Sequence, residues 1–164
     1  MADYPFIPEG LFPVVAISPK ITNGASTGDY ISLKNAEMCW VVLQFQNATA
    51  ATDATTIEMA TDVAGTGTTA ITNVVPIWYG VVSTSSTQLT RQTDAVSYTT
   101  ADVTGSKVMI FQIDPASLGS TYDCITVKVA DSTHATNYVA AMYWIKPRYE
   151  SKVASMTATE YIVD

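Results

Sequence analysis

The feature that most constrains this chain is a rhythm of short apolar runs, each closed by turn chemistry. Residues 37–46 read EMCWVVLQFQ, 77–82 IWYGVV, 107–113 KVMIFQI and 137–145 NYVAAMYWI. These runs are rich in β-branched and aromatic residues, which suit a pleated surface. Asn23-Gly24, Thr27-Gly28-Asp29, Gly65-Thr66-Gly67 and Asp114-Pro115 separate them, and such pairs mark turns. No segment carries the periodicity of a long amphipathic helix. Some eight or nine short strands at this spacing predict an all-β, single-domain sandwich or barrel; periodicity does not encode strand order, so a jelly roll and an immunoglobulin-like sandwich both fit.

Several strands have specific expectations. Short strands are expected at Pro13–Ile17, Tyr30–Leu33, Thr56–Val63, Gln88–Arg91 and Val96–Thr99. Residues 47–55 and 83–87 read as loops of small residues. Tyr122–Ala130 places Ile125, Val127 and Val129 on one face and Thr126 and Lys128 on the other. Asp114 is the natural cap of a single helical turn over Pro115–Leu118. The expected division is an extended arm over 1–20, a β-sandwich over 21–149 and a tail over 150–164.

The arm has its own chemistry. Tyr4, Phe6, Ile7, Leu11 and Phe12 alternate with Pro5, Pro8 and Pro13. Proline fixes φ and removes a donor, so the segment is extended. An exposed apolar arm invites association and must cover its own domain or a partner. These five side chains are therefore the candidate partner-docking residues.

Composition narrows the function classes. Hydrophobic residues make up 48% of the 164 and charged residues 14%, against about 25% charged in ordinary domains. A disordered chain would show the reverse bias. Net charge is −7, with eight Lys and Arg scattered singly. Nucleic-acid binding draws on a basic face that releases counterions, so no nucleic-acid partner is expected. No run reaches the ~20 apolar residues of a membrane span. Met1–Asp3 lacks a basic start and prolines break the early apolar run, so no secretory leader is expected.

Catalytic chemistry finds little support. His134 is the single histidine and sits in the polar loop Asp131-Ser132-Thr133-His134, read as a hairpin. A triad would need a nucleophile and an acid converging on it. Glu58, Asp62, Asp114 and Asp123 qualify for a carboxylate pair only by default, and Glu58 reads as the outward face of a strand. Gly65-Thr66-Gly67 lacks the lysine and helix of a phosphate loop. Cys39 and Cys124 lie inside apolar runs and read as core thiols. Two cysteines and one histidine fall short of a zinc site. The expectation is a non-enzyme with no cofactor and no metal. Within Trp78-Tyr79 and Tyr143-Trp144, neighbours point to opposite faces of a strand, so one of each pair is free to face outward.

The runs GDYISLKNAEMCWVVLQFQNA and IEMATDVAGTGTTAI, the stretch KVMIFQIDPASLGSTYDCITVKVADSTHATNYVAAMYW and Pro147-Arg148-Tyr149 together resemble small structural proteins of tailed bacteriophages and prophages. The resemblance spans about Gly28 to Tyr149. Within that group the pattern is most similar to capsid decoration, or cement, proteins. The resemblance implies a jelly-roll or sandwich fold, a homo-oligomer (often a trimer), the major capsid protein as partner, and residence in the virion after assembly in the bacterial host cytoplasm. Tail-tube and head–tail connector proteins also use sandwiches with extended arms. A carbohydrate-binding or receptor-binding module is the alternative from outside the virion shell.

Overall fold

The computed structural model describes residues 10–82 and 88–148. Among the described residues, twelve strands run β1 (Phe12–Ile21), β2 (Ser26–Thr27), β3 (Ile31–Ser32), β4 (Ala36–Ala51), β5 (Ala54–Ala60), β6 (Thr69–Ala70), β7 (Ile77–Val82), β8 (Thr90–Arg91), β9 (Ser97–Thr99), β10 (Val103–Ile113), β11 (Cys124–Val129) and β12 (Asn137–Pro147). One 3-10 turn spans Pro115–Leu118. No helix among the described residues is long and apolar enough to cross a membrane.

The strands form two antiparallel sheets. The first has the order β1-β12-β4-β10-β7-β8; the second has β2-β11-β5-β6, with β3 beside β11 and β9 beside β5. Set aside β3, β7, β8 and β9, and number the remaining eight along the chain. The sheets then read 1-8-3-6 and 2-7-4-5. That is jelly-roll connectivity: the chain changes sheet at almost every step, which wraps two Greek keys around one core. Strands β7 and β8 extend the first sheet past β10.

Alternation explains the core. Cys39, Val41, Leu43 and Phe45 of β4 point inward and are wholly buried, as are Met109, Phe111 and Ile113 of β10. Ile57 of β5 and Val127 of β11 meet them from the second sheet. Tyr143 is the largest of the fully buried side chains.

Several boundaries differ from the sequence reading. The latter half of the expected arm, from Phe12, is a ten-residue strand at the edge of the first sheet, paired with β12 through Ile21↔Tyr138. Prolines 13 and 19 are tolerated there because an edge strand has one side without ladder partners. The expected loop 47–55 is mostly strand. Strand β4 continues to Ala51, and the Asn137 side chain stands in for a backbone partner: its Oδ1 accepts from Thr49 N at 3.0 Å, and its Nδ2 donates to Thr49 O at 2.9 Å. The loop around His134 is not a hairpin. It carries the chain from β11 in one sheet to β12 in the other. Asp114 does cap its turn, accepting from Ala116 N at 2.9 Å. Gly65 and Gly67 take φ of 80° and 64° in the expected turn, and a Cβ on Gly65 would strike the Tyr30 ring. The loop expected at 83–87 and the tail over 150–164 lie outside the described residues.

Candidate docking surface

The outward face of the first sheet is apolar at one end. Since Cys39, Val41 and Leu43 face inward, Trp40 and Val42 face out. The register brings like residues beside them. Trp144 of β12 stands opposite Trp40, Met142 opposite Val42, and Ile110 of β10 opposite Val42 on the other side. Leu11 approaches from the start of β1. Leu11, Trp40, Val42, Ile110 and Trp144 line an open groove of about 240 Å³. Beside it on β1, Val15 is 50% exposed.

The same face turns polar along the strands. Past Val42, the outward residues of β4 are Gln44 and Gln46, and Ser106 on β10 hydrogen-bonds Gln46. At the other end Lys146 pairs with Glu37 at 3.0 Å, both about half exposed. An apolar centre with a polar rim is the anatomy of a protein-binding patch.

Of the predicted docking residues, Tyr4, Phe6 and Ile7 lie outside the described residues. Leu11 sits in the groove wall. Phe12 turns the other way, packing half-buried against the core. The two aromatic pairs split as expected. Tyr143 is buried while Trp144 lines the groove. Tyr79 packs on the core beside Tyr98, their ring centres 5.3 Å apart. Trp78 faces out, and the Arg91 guanidinium stacks 4.8 Å from its ring centre. That cation–π contact covers the third tryptophan and leaves Trp40 and Trp144 as the aromatic part of the groove.

The candidate acid–base residues are engaged in structure. Glu58 faces out and pairs with Lys128 at 2.9 Å across β5 and β11, which holds the lysine's pKa up. Asp62 accepts from the Thr66 and Ala64 amides at 3.0 Å, and hydrogen bonding, chiefly from Thr66, holds its carboxyl below the usual range. Asp123 pairs with Lys34 at 3.4 Å and accepts from Cys124 Sγ at 3.2 Å. Asp131 accepts from Gly24 N at 2.8 Å and Thr133 N at 2.6 Å, and Ser132 shares a 2.6 Å hydrogen bond with Thr22. The His134 ring makes no hydrogen bond to either among the described residues. Cys39 and Cys124 are both buried free thiols. No group of three or more metal-ligating His, Cys, Asp or Glu side chains occurs among the described residues.

Sequence reading passed over one cluster. Lys107 and Asp53 form an ion pair at 3.0 Å with neither side chain exposed. The signal was available: Lys107 shares the inward parity of Met109, Phe111 and Ile113. A lysine at an inward position of a core strand needs a buried partner.

No protein-family model matches the chain, and no curated protein matches it. Among solved structures it is similar to the SPBc2 prophage-derived protein YomS, at 10% sequence identity and a TM-score of 0.45 over 82% of this chain and 91% of that one.

Proposed function

We propose that this protein is a non-enzymatic virion structural protein of a tailed phage or prophage that decorates the capsid. It binds the outer surface of the major capsid protein through the apolar face of its first sheet. The observation that carries the binding mode is the outward cluster of Trp40, Val42, Ile110 and Trp144. Tryptophan contributes large contact area and dominates the energetics of protein interfaces. The resemblance of residues 28–149 to phage virion proteins supports the capsid as the partner. The weakly charged surface suits close packing among neighbours, and repetition around a symmetric shell multiplies a modest affinity.

The N-terminal segment is proposed to dock with the same surface: Leu11 lines the groove, and the apolar Tyr4, Phe6 and Ile7 shortly precede it in sequence. The prolines lower the ordering cost of that segment. A trimer is the proposed oligomer, on the strength of the resemblance.

The test is binding to purified capsids that lack this chain. Saturation at hundreds of copies supports decoration, whereas six or twelve copies at one vertex replaces it with a connector role. Removal of residues 1–9 lowers occupancy if the segment docks; unchanged occupancy removes the arm from the interface. A second reading rests on the outward tryptophans Trp40 and Trp144, which also suit sugar stacking. Glycan binding abolished by Trp40→Ala, with no capsid binding, would favour it.

A further inference from the structure

At the end of the sandwich where β4 turns into β5, three polar side chains are shut away from water. Lys107 and Asp53 are wholly buried, and Asn47 is 1% exposed. Asn47 and Lys107 come from neighbouring strands. The register sets Lys107 opposite Phe45 and Gly105 opposite Asn47, so the two lie diagonally on the inward face.

Both side-chain nitrogens converge on the same two oxygens. Asp53 Oδ2 accepts from Lys107 Nζ at 3.0 Å and from Asn47 Nδ2 at 2.9 Å. Ala51 O accepts from Nζ at 2.6 Å and from Nδ2 at 3.3 Å. Both partners of Nδ2 are acceptors only, which fixes the orientation of the Asn47 amide. Ala101 O at 2.8 Å and Thr100 Oγ1 at 3.1 Å complete the cradle around Nζ. Thr100 Oγ1 also donates to Asp53 Oδ2 at 3.2 Å.

We propose that this is a self-modification site, at which Lys107 and Asn47 join in an intramolecular isopeptide bond. A carboxylate that touches both an amine and a primary amide nitrogen can carry the proton the reaction needs. Asp53 takes a proton from the Lys107 ammonium, which leaves a neutral amine. Nζ attacks Cγ of Asn47 and the Nζ–Cγ bond forms. Asp53 returns the proton to Nδ2, the Cγ–Nδ2 bond breaks, and ammonia leaves. The tetrahedral adduct's remaining excess proton, on Nζ, passes to Asp53. The products are a secondary amide, one ammonia and a protonated Asp53. No oxidant, metal or second substrate is required.

The surroundings favour the bond. Holding amine and amide side by side makes the reaction unimolecular. Burial keeps water from competing for the amide carbon. The bond also replaces a buried ion pair, whose desolvation is costly, with a neutral amide. It would tie β4 to β10 in the middle of the first sheet, a useful property in a protein that must stay folded on a particle surface.

Mass spectrometry of the purified full-length chain tests this directly. The expected mass is lower than the sequence mass by one ammonia. Trypsin should leave a branched peptide joining residues 35–91 to residues 92–128, uncut at Lys107. Separate peptides with cleavage after Lys107 overturn the proposal. Loss of one water, with the branch at Asp53, overturns Asn47 as the acyl partner. Asp53→Asn keeps both linking residues and nearly the same shape. It is expected to abolish the ammonia loss, and undiminished loss overturns the proton-carrying role. Should that variant fail to fold, the mass of the unaltered chain still decides whether the bond exists.

Discussion

The Tyr143 hydroxyl reaches across the sandwich to the backbone of Val127. From β12 in the first sheet it accepts from Val127 N at 3.2 Å, and it donates to Asp29 O at 2.9 Å. Burial pushes its pKa up, so the hydroxyl stays protonated and remains a donor. Gly28 leaves room for it: a Cβ there would come within 3.1 Å of the hydroxyl. Tyr143→Phe keeps the ring and strands one N–H and one C=O. The expected loss is about 1–3 kcal/mol of stability, read by urea denaturation, with the strand content unchanged by circular dichroism.

The outward tryptophans should separate binding from stability. Changing Trp40 and Trp144 to Gln removes the aromatic part of the groove but leaves the inward faces of β4 and β12 intact. Capsid occupancy is expected to fall at least tenfold, the equivalent of about 1.4 kcal/mol. Leu43→Ala, one residue beyond Val42 but inward, should instead cost about 2–5 kcal/mol of folding stability. Equal destabilisation by both changes would place the tryptophans in the fold and not in the interface.

Both thiols should be silent in the folded chain. Cys39 is buried in the first sheet and Cys124 in the second. Burial raises both pKa values. That of Cys124 is pushed up to about 12 by desolvation first and by its bond to Asp123 second, and Cys39 is raised by desolvation. The thiolate is the reactive form. Ellman's reagent is expected to titrate neither cysteine under native conditions and both in guanidinium.

Acid sensitivity should have an identifiable source in the loop between β11 and β12. Asp131 is held below the usual aspartate pKa, chiefly by the Gly24 amide and then by that of Thr133. A carboxyl whose pKa is lower folded than unfolded contributes stability above the unfolded value. That contribution fades as pH falls through the depressed folded value. Asp62 behaves likewise in the turn after β5. Asp131→Asn is expected to flatten the drop in melting temperature below the ordinary aspartate value near 3.8. An unchanged acid limb would show that neither amide bond matters to folding.

Much of this protein was legible because alternation is a local property. The run Leu43-Gln44-Phe45-Gln46 announces its inward and outward faces, and Tyr143 and Trp144 must part company on any strand. Asp114 and Pro115 dictate a capped turn, and the glycines around Thr66 dictate a reversal. The tryptophan groove was half legible. Where β4 reads Cys-Trp-Val-Val-Leu, both faces are apolar, and periodicity alone cannot distinguish a strand buried on both sides from one with an exposed apolar face. Only the neighbours decide, and here Ile110 and Trp144 arrive from residues far along the chain.

The sequence by itself therefore determined the class: short strands, their turns, a core of alternating apolar residues and a surface with few charges. Tertiary structure decided what depends on non-local pairing. It set the jelly-roll strand order and the promotion of residues 12–21 to an edge strand. It gathered Leu11, Trp40, Val42, Ile110 and Trp144 into one groove, and it brought Lys107, Asn47 and Asp53 together out of water. The physical reason is the period of two, which tells each side chain which face it occupies but not which strand lies beside it.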